Sequence, residues 1–168
     1  MKLYFTLVLA LVFLNFSCTK DGDVAAESTL AAGTATAEVA GKGVTFNTAS
    51  GAFNTALKSF SIALNGTPTA GGTSVITTVA LNLTNFKKGD VGVFQCVEKT
   101  SGSATQAFGS AIQTTLSGST GGVILGGQVE IVSWTETGVN IKFAVNSKGS
   151  NNSTVDVTKG QGNIKLLN

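Results

Sequence analysis

Residues 128–146 read QVEIVSWTETGVNIKFAVN. Val129, Ile131 and Ser133 alternate with Glu130, Val132 and Trp134. After Thr137-Gly138, Val139, Ile141, Phe143 and Val145 alternate with Asn140, Lys142, Ala144 and Asn146. A period of two places alternate side chains on opposite faces of a strand. Two such runs around a Thr-Gly turn predict a hairpin. SKGSNNST, 147–154, then reads as a polar loop. Val155-Asp156-Val157 and Asn163-Ile164-Lys165-Leu166 read as closing strands, separated by Lys159-Gly160-Gln161-Gly162.

The same alternation runs upstream. TAEVAGKGVTFNT predicts two short strands around Gly41-Lys42-Gly43. Phe60, Ile62 and Leu64 oppose Ser59, Ser61 and Ala63, and Asn65-Gly66-Thr67-Pro68 signals a turn. Val75, Thr77, Val79, Leu81 and Leu83 share one face, which Lys87-Lys88-Gly89-Asp90 terminates. VGVFQCVEK and AFGSAIQTTL follow, and the SGSTGG stretch at 117–122 reads as a loop. Thr and Val favour strands, while Gly and Asn favour turns. About eight to ten strands with no intervening helix predict an all-β fold. Such an antiparallel sheet buries its apolar face as a β-sandwich or a flattened β-barrel built from hairpins.

The segment GQVEIVSWTETGVNIKFAVNSKGSNNSTVDVTKGQGNIKL resembles the closing half of small Bacteroidetes lipoproteins of a domain-of-unknown-function family, the DUF6252 type. There, a strand of the form G-x-F-x-F-x-A-x-N precedes a polar loop, a valine strand and a G-x-F-x-V-x-L strand; here Val139-Asn140-Ile141 replaces the usual Gly-x-Phe and Ile164 replaces the last phenylalanine. TAEVAGKGVTF resembles the start of those domains. The resemblance implies an all-β, exported protein and carries no activity.

The amino terminus points to the same location. Lys2 precedes an apolar run from Leu3 to Leu14, the layout of a signal peptide. This run is shorter than the ~20 residues that span a bilayer. Asn15-Phe16-Ser17-Cys18 resembles a lipobox, in which the cysteine accepts a diacylglyceryl group and becomes the first mature residue. Lys20, Asp21 and Asp23, directly behind it, resemble the signal that sends Bacteroidetes lipoproteins to the cell surface. Three regions are expected: a signal peptide at 1–17, a lipidated Cys18 with a flexible tether to 34, and an all-β domain over 35–168. The expected location is the outer membrane, lipid-anchored and facing the outside. The periplasmic face is the alternative.

Composition narrows the chemistry. The chain has 11 basic residues, all lysine, against 9 acidic ones, and no histidine. Near-neutrality gives no basic patch for nucleic acid. Lacking histidine, it has neither the commonest general base nor the commonest metal ligand. Lacking arginine, it has no bidentate clamp for phosphate or carboxylate. With Cys18 lipidated, Cys96 has no partner and reads as a buried strand residue. The carboxylates Asp90, Glu98, Glu130, Glu136 and Asp156 read as solvated strand and turn charges. Asp21-Gly22-Asp23 is too short for a calcium loop. No catalytic residue, metal site or cofactor is expected.

Trp134 is the only tryptophan. It is a candidate ligand contact, as a ring stacked on a sugar, or else a packed plug of the domain. The serine, threonine and asparagine stretches at 117–122 and 147–154 are open to the same two readings. The expected function is non-enzymatic binding of a protein, glycan or envelope component. A calycin-like carrier of a small apolar molecule or lipid is the alternative, and a polysaccharide hydrolase is the least favoured.

Overall fold

The computed structural model describes residues 30–68, 75–100 and 104–167. Cys18, Lys20, Asp21 and Asp23 lie outside the described residues. Among the described residues there are nine strands: β1 (Thr34–Val39), β2 (Lys42–Asn54), β3 (Ser59–Pro68), β4 (Ile76–Thr84), β5 (Gly92–Gln95), β6 (Gln106–Thr115), β7 (Gly118–Trp134), β8 (Gly138–Lys148) and β9 (Thr154–Leu166). They hydrogen-bond in the order β5-β7-β6-β4-β3-β2-β1-β9-β8, and β7 also pairs with β8. That last pairing closes the sheet. The fold is an antiparallel barrel of eight strands, with β5 as an added strand.

β5 fills a split in the wall. β7 pairs with β6 over Gly118–Val123 and with β8 over Val123–Trp134. Where β6 and β7 diverge, β5 lies against Gln128–Ile131 of β7. Just beyond β5, Cys96 forms a parallel bridge to Ala107 of β6.

The alternation of the sequence becomes the inside and outside of the barrel. Phe60, Ile62 and Leu64 of β3 and Val79, Leu81 and Leu83 of β4 are buried. Val139, Ile141, Phe143 and Val145 of β8 are buried as well. Each large apolar side chain removed from water contributes about 1.5–3 kcal/mol. Aromatic rings lie over glycines of the neighbouring strand: Phe143 of β8 pairs directly with Gly160 of β9, and Phe60 of β3 lies against Gly51 of β2. A methyl group at Gly51 would come within 2.7 Å of Phe60 Cζ, and one at Gly160 within 2.7 Å of Phe143 Cδ2. Phe46 and Phe143 meet edge to face at 6.4 Å.

One end of the barrel is closed by a ring cluster. Phe60 and Phe86 stack at 5.7 Å, and Phe53 and Phe94 meet Phe86 at 6.5 and 5.4 Å. Trp134 completes the cluster, 5.6 Å from Phe60 and 6.1 Å from Phe86. The loops β2–β3, β4–β5 and β7–β8 lie at this end. The turns β1–β2, β6–β7 and β8–β9 lie at the other.

Three expectations are corrected. Residues 117–122 are not a loop: β7 begins at Gly118, and the turn is Leu116-Ser117. The glycines sit within the strand because neighbours approach closely there; a methyl group at Gly121 would lie 2.7 Å from Val155 Cγ2. Residues 159–162 do not separate two strands. β9 is continuous, and the ladder absorbs two residues opposite one through a bulge between Phe143 and Val145 of β8. Lys159 takes the left-handed backbone there, with φ 51°. Finally, Asn65-Gly66-Thr67-Pro68 is not a turn: these residues end β3, where Thr67 pairs with Thr45 and Pro68 with Val44 of β2. Residues 30–33 are fastened to the wall: Gly33 N donates to Asn163 O at 2.7 Å, Ala49 N to Gly33 O at 2.8 Å, and Asn163 Nδ2 to Leu30 O at 3.2 Å.

Candidate functional site

Charge is divided unevenly around the wall. β3, β4, β5 and β6 contain no charged residue. The strand charges gather on β1, β7, β8, β9 and the start of β2: Glu38, Lys42, Glu130, Lys142, Lys148, Asp156, Lys159 and Lys165. The charged part of the wall also carries a polar depression.

That depression is a groove of about 440 Å³ over β7, β8 and β9, lined by Gln128, Glu130, Lys142, Ala144, Lys159 and Gln161. Its origin is local. Gln128 stands opposite Ala144, and Glu130 opposite Lys142, while Lys142 faces Gln161 on its other side. Ala144 is the one short side chain in this row. Across from it the β9 bulge replaces a single opposing residue with Thr158 and Lys159. Long side chains thus stand on both sides of a methyl group, and the space over it stays open. A second depression of about 350 Å³ continues past Ala144 toward Asn146, Asp156 and Thr158.

The groove presents two carboxamides, two ammonium groups and a carboxylate. Lys142 Nζ lies 4.0 Å from Glu130, and both side chains are substantially exposed. Lys159 Nζ meets Glu38 at 2.8 Å across β1 and β9. These groups can hydrogen-bond and ion-pair with a polar ligand lying along the strands. No group of three His, Cys, Asp or Glu side chains able to hold a metal occurs among the described residues.

The candidate residues from the sequence fall elsewhere. Trp134 is half-buried in the ring cluster, and its Nε1 donates to Asp90 O at 2.9 Å. Both the ring and its polar tip have partners within the fold. Cys96 is buried, and burial pushes its thiol up to about 11. The thiolate, which is the nucleophilic form, is therefore disfavoured. In the 147–154 stretch, Ser147 Oγ is buried and donates to Ala111 O at 2.7 Å, and Gly121 N donates to Ser153 Oγ at 3.0 Å. These side chains pin the β8–β9 connection onto β6 and β7. Asp90 Oδ2 accepts the Lys87 N–H at 2.8 Å, a turn contact.

Sequence reasoning missed the groove. Glu130 reads as a solvated charge and Lys142 as one member of the β8 alternation; the trough beside them depends on a bulge that the run TKGQG does not announce. Comparison with protein-family models, curated proteins and solved structures finds no match.

Proposed function

We propose that this chain is a lipid-anchored protein of the bacterial outer membrane, exposed at the cell surface, whose barrel binds a polar ligand without catalysis. The ligand class is a glycan, protein or envelope component lying along the outer wall of β7, β8 and β9. The observation that carries this reading is the polar groove over Ala144, set in the charged part of the wall. The signal peptide, Cys18 and the Lys20-Asp21-Gly22-Asp23 signal support the location, and kinship with the DUF6252-type lipoproteins belongs to the same proposal.

Two features favour the wall over the interior as the binding surface. The inward positions hold Phe46, Phe60, Leu64, Leu81 and Ile141, all nearly fully buried. An apolar cargo would compete with them for the same space, so the carrier reading has less support. Hydrolysis of a glycoside calls for two facing carboxylates. Of the wall carboxylates, Glu38 and Glu130 stand beside lysines, and Asp156 lies opposite Asn146 rather than another carboxylate.

The test is site-specific photo-crosslinking on living cells. A photoreactive residue replaces Gln161 in the groove or Thr78 on the uncharged wall. The expected result is a discrete adduct from position 161 that is absent from position 78, and that is lost when Lys142→Ala and Glu130→Ala are introduced. Adducts at 78 alone, or at neither position, contradict the assignment.

A further inference from the structure

The closed end of the barrel carries an exposed corner made by two turns. Lys58 O of the β2–β3 turn accepts the Phe86 N–H of the β4–β5 connection at 2.8 Å. This bond brings Leu57-Lys58 beside Lys87-Lys88. Leu57 is 72% exposed. Val91 is 60% exposed, and it follows Asp90, whose carbonyl is held by Trp134. Two apolar side chains and three lysines thus share one rim, above a rigid floor of stacked rings. Of the two acids in the loops at this end, Asp90 has its carboxylate turned onto the Lys87 N–H, and Glu136 stands exposed in the β7–β8 turn.

The chain enters the barrel at the same end. β1 runs from the closed end toward the open one, and Thr34 pairs with Asn163, next to Ile164 in the row that holds Val139 and Trp134. Leu30 is bound to the Asn163 side chain on the outer wall. From Cys18 to Leu30 is twelve residues, which fully extended reach at most about 40 Å. A barrel anchored at Cys18 therefore stays close to its membrane, and β1 begins at the closed end.

We infer that this corner, Leu57, Lys58, Lys87, Lys88 and Val91, docks on the anionic headgroups of the membrane that holds Cys18. The occupant is a lipid surface. Lysines near such a surface are attracted by its negative potential, and adjacent apolar side chains insert at the boundary of the acyl region. Docking would hold the barrel upright, with the β1–β2, β6–β7 and β8–β9 turns pointing away from the bilayer. The inference rests on the lipid anchor proposed above.

The test uses the full, matured chain in vesicles of phosphatidylethanolamine and phosphatidylglycerol. A fluorophore is attached at Leu57→Cys or at Leu116→Cys, the latter in the β6–β7 turn and 96% exposed. Cys96 is buried with a raised thiol pKa and does not compete for the label. Lipid-borne quencher is expected to dim position 57 several-fold more than position 116. Lys58→Glu, Lys87→Glu and Lys88→Glu together are expected to bring position 57 down to the level of 116. Equal quenching at both positions in a chain that floats with the vesicles and carries acyl mass at Cys18 overturns the docking alone. A chain without acyl mass overturns the anchor and the docking together.

Discussion

At the scale of single residues, the barrel depends on side chains too small to read as important. Gly51 of β2 sits under the ring of Phe60 on the neighbouring β3, and an added methyl would also lie 3.0 Å from Ile164 Cγ2. Gly51→Ala is expected to cost about 1–3 kcal/mol by overpacking, measured as a lowered urea midpoint at unchanged slope. Cys96 gives a pH-dependent counterpart. Its folded pKa, about 11, lies above the ordinary value of 9.0 because burial disfavours the thiolate. The stability linked to this group is complete below pH 9 and is lost as pH rises toward 11. The native protein is expected to react slowly with a disulfide reagent at pH 8 and promptly once unfolded. Fast labelling of the folded protein would contradict the burial. The burial of Cys96 was legible from GVFQCV. The role of Gly51 was not, because nothing local to a glycine says which ring will lie across it.

At the scale of elements, clean alternation proved easy to read and interrupted alternation did not. β3, β4 and β8 keep one inward set throughout, and the sequence places those side chains correctly. β2, β7 and β9 each change register within the strand, after Phe46, after Ile124 and opposite Phe143–Val145. A bulge shifts the inward set by one residue, so a strict period of two splits one strand into two. The groove over Ala144 is a product of such a bulge and was hidden for that reason. The ring cluster makes a testable element. Trp134→Ala removes contacts to Phe60 and Phe86 and the bond to Asp90, and is expected to cost about 3 kcal/mol. Trp134→Phe keeps the packing and is expected to lose less. Circular dichroism melts check both, since the chain has no other tryptophan to report. In contrast, Lys142→Ala breaks only an exposed 4.0 Å pair and should cost under about 1 kcal/mol. That separation lets groove variants test binding in a folded protein.

At the scale of the whole molecule, closure is the decisive event. β1 pairs with β9, and β7 with β8, so the two ends of the domain must meet before the interior is sealed. Deleting 154–166 is expected to abolish cooperative unfolding, leaving β1 and β8 each with an open edge. The all-β class and the strand count were legible because each hairpin advertises itself locally. The choice of a barrel over a sandwich was not, because it turns on which distant strands pair. Closure also divides the surface: an uncharged wall on β3, β4 and β6, a charged and grooved wall on β7, β8 and β9, and a closed end beside the incoming chain. This division leads to an account of a barrel held by its closed end and binding along its side.

Protease added to intact cells tests that account most directly, with Cys18→Ala as the control. The expected result is loss of the wild-type band on unbroken cells, with the control no longer held by the membrane. Protection of the wild type until the cells are lysed would contradict the account, because the grooved wall would then face the periplasm.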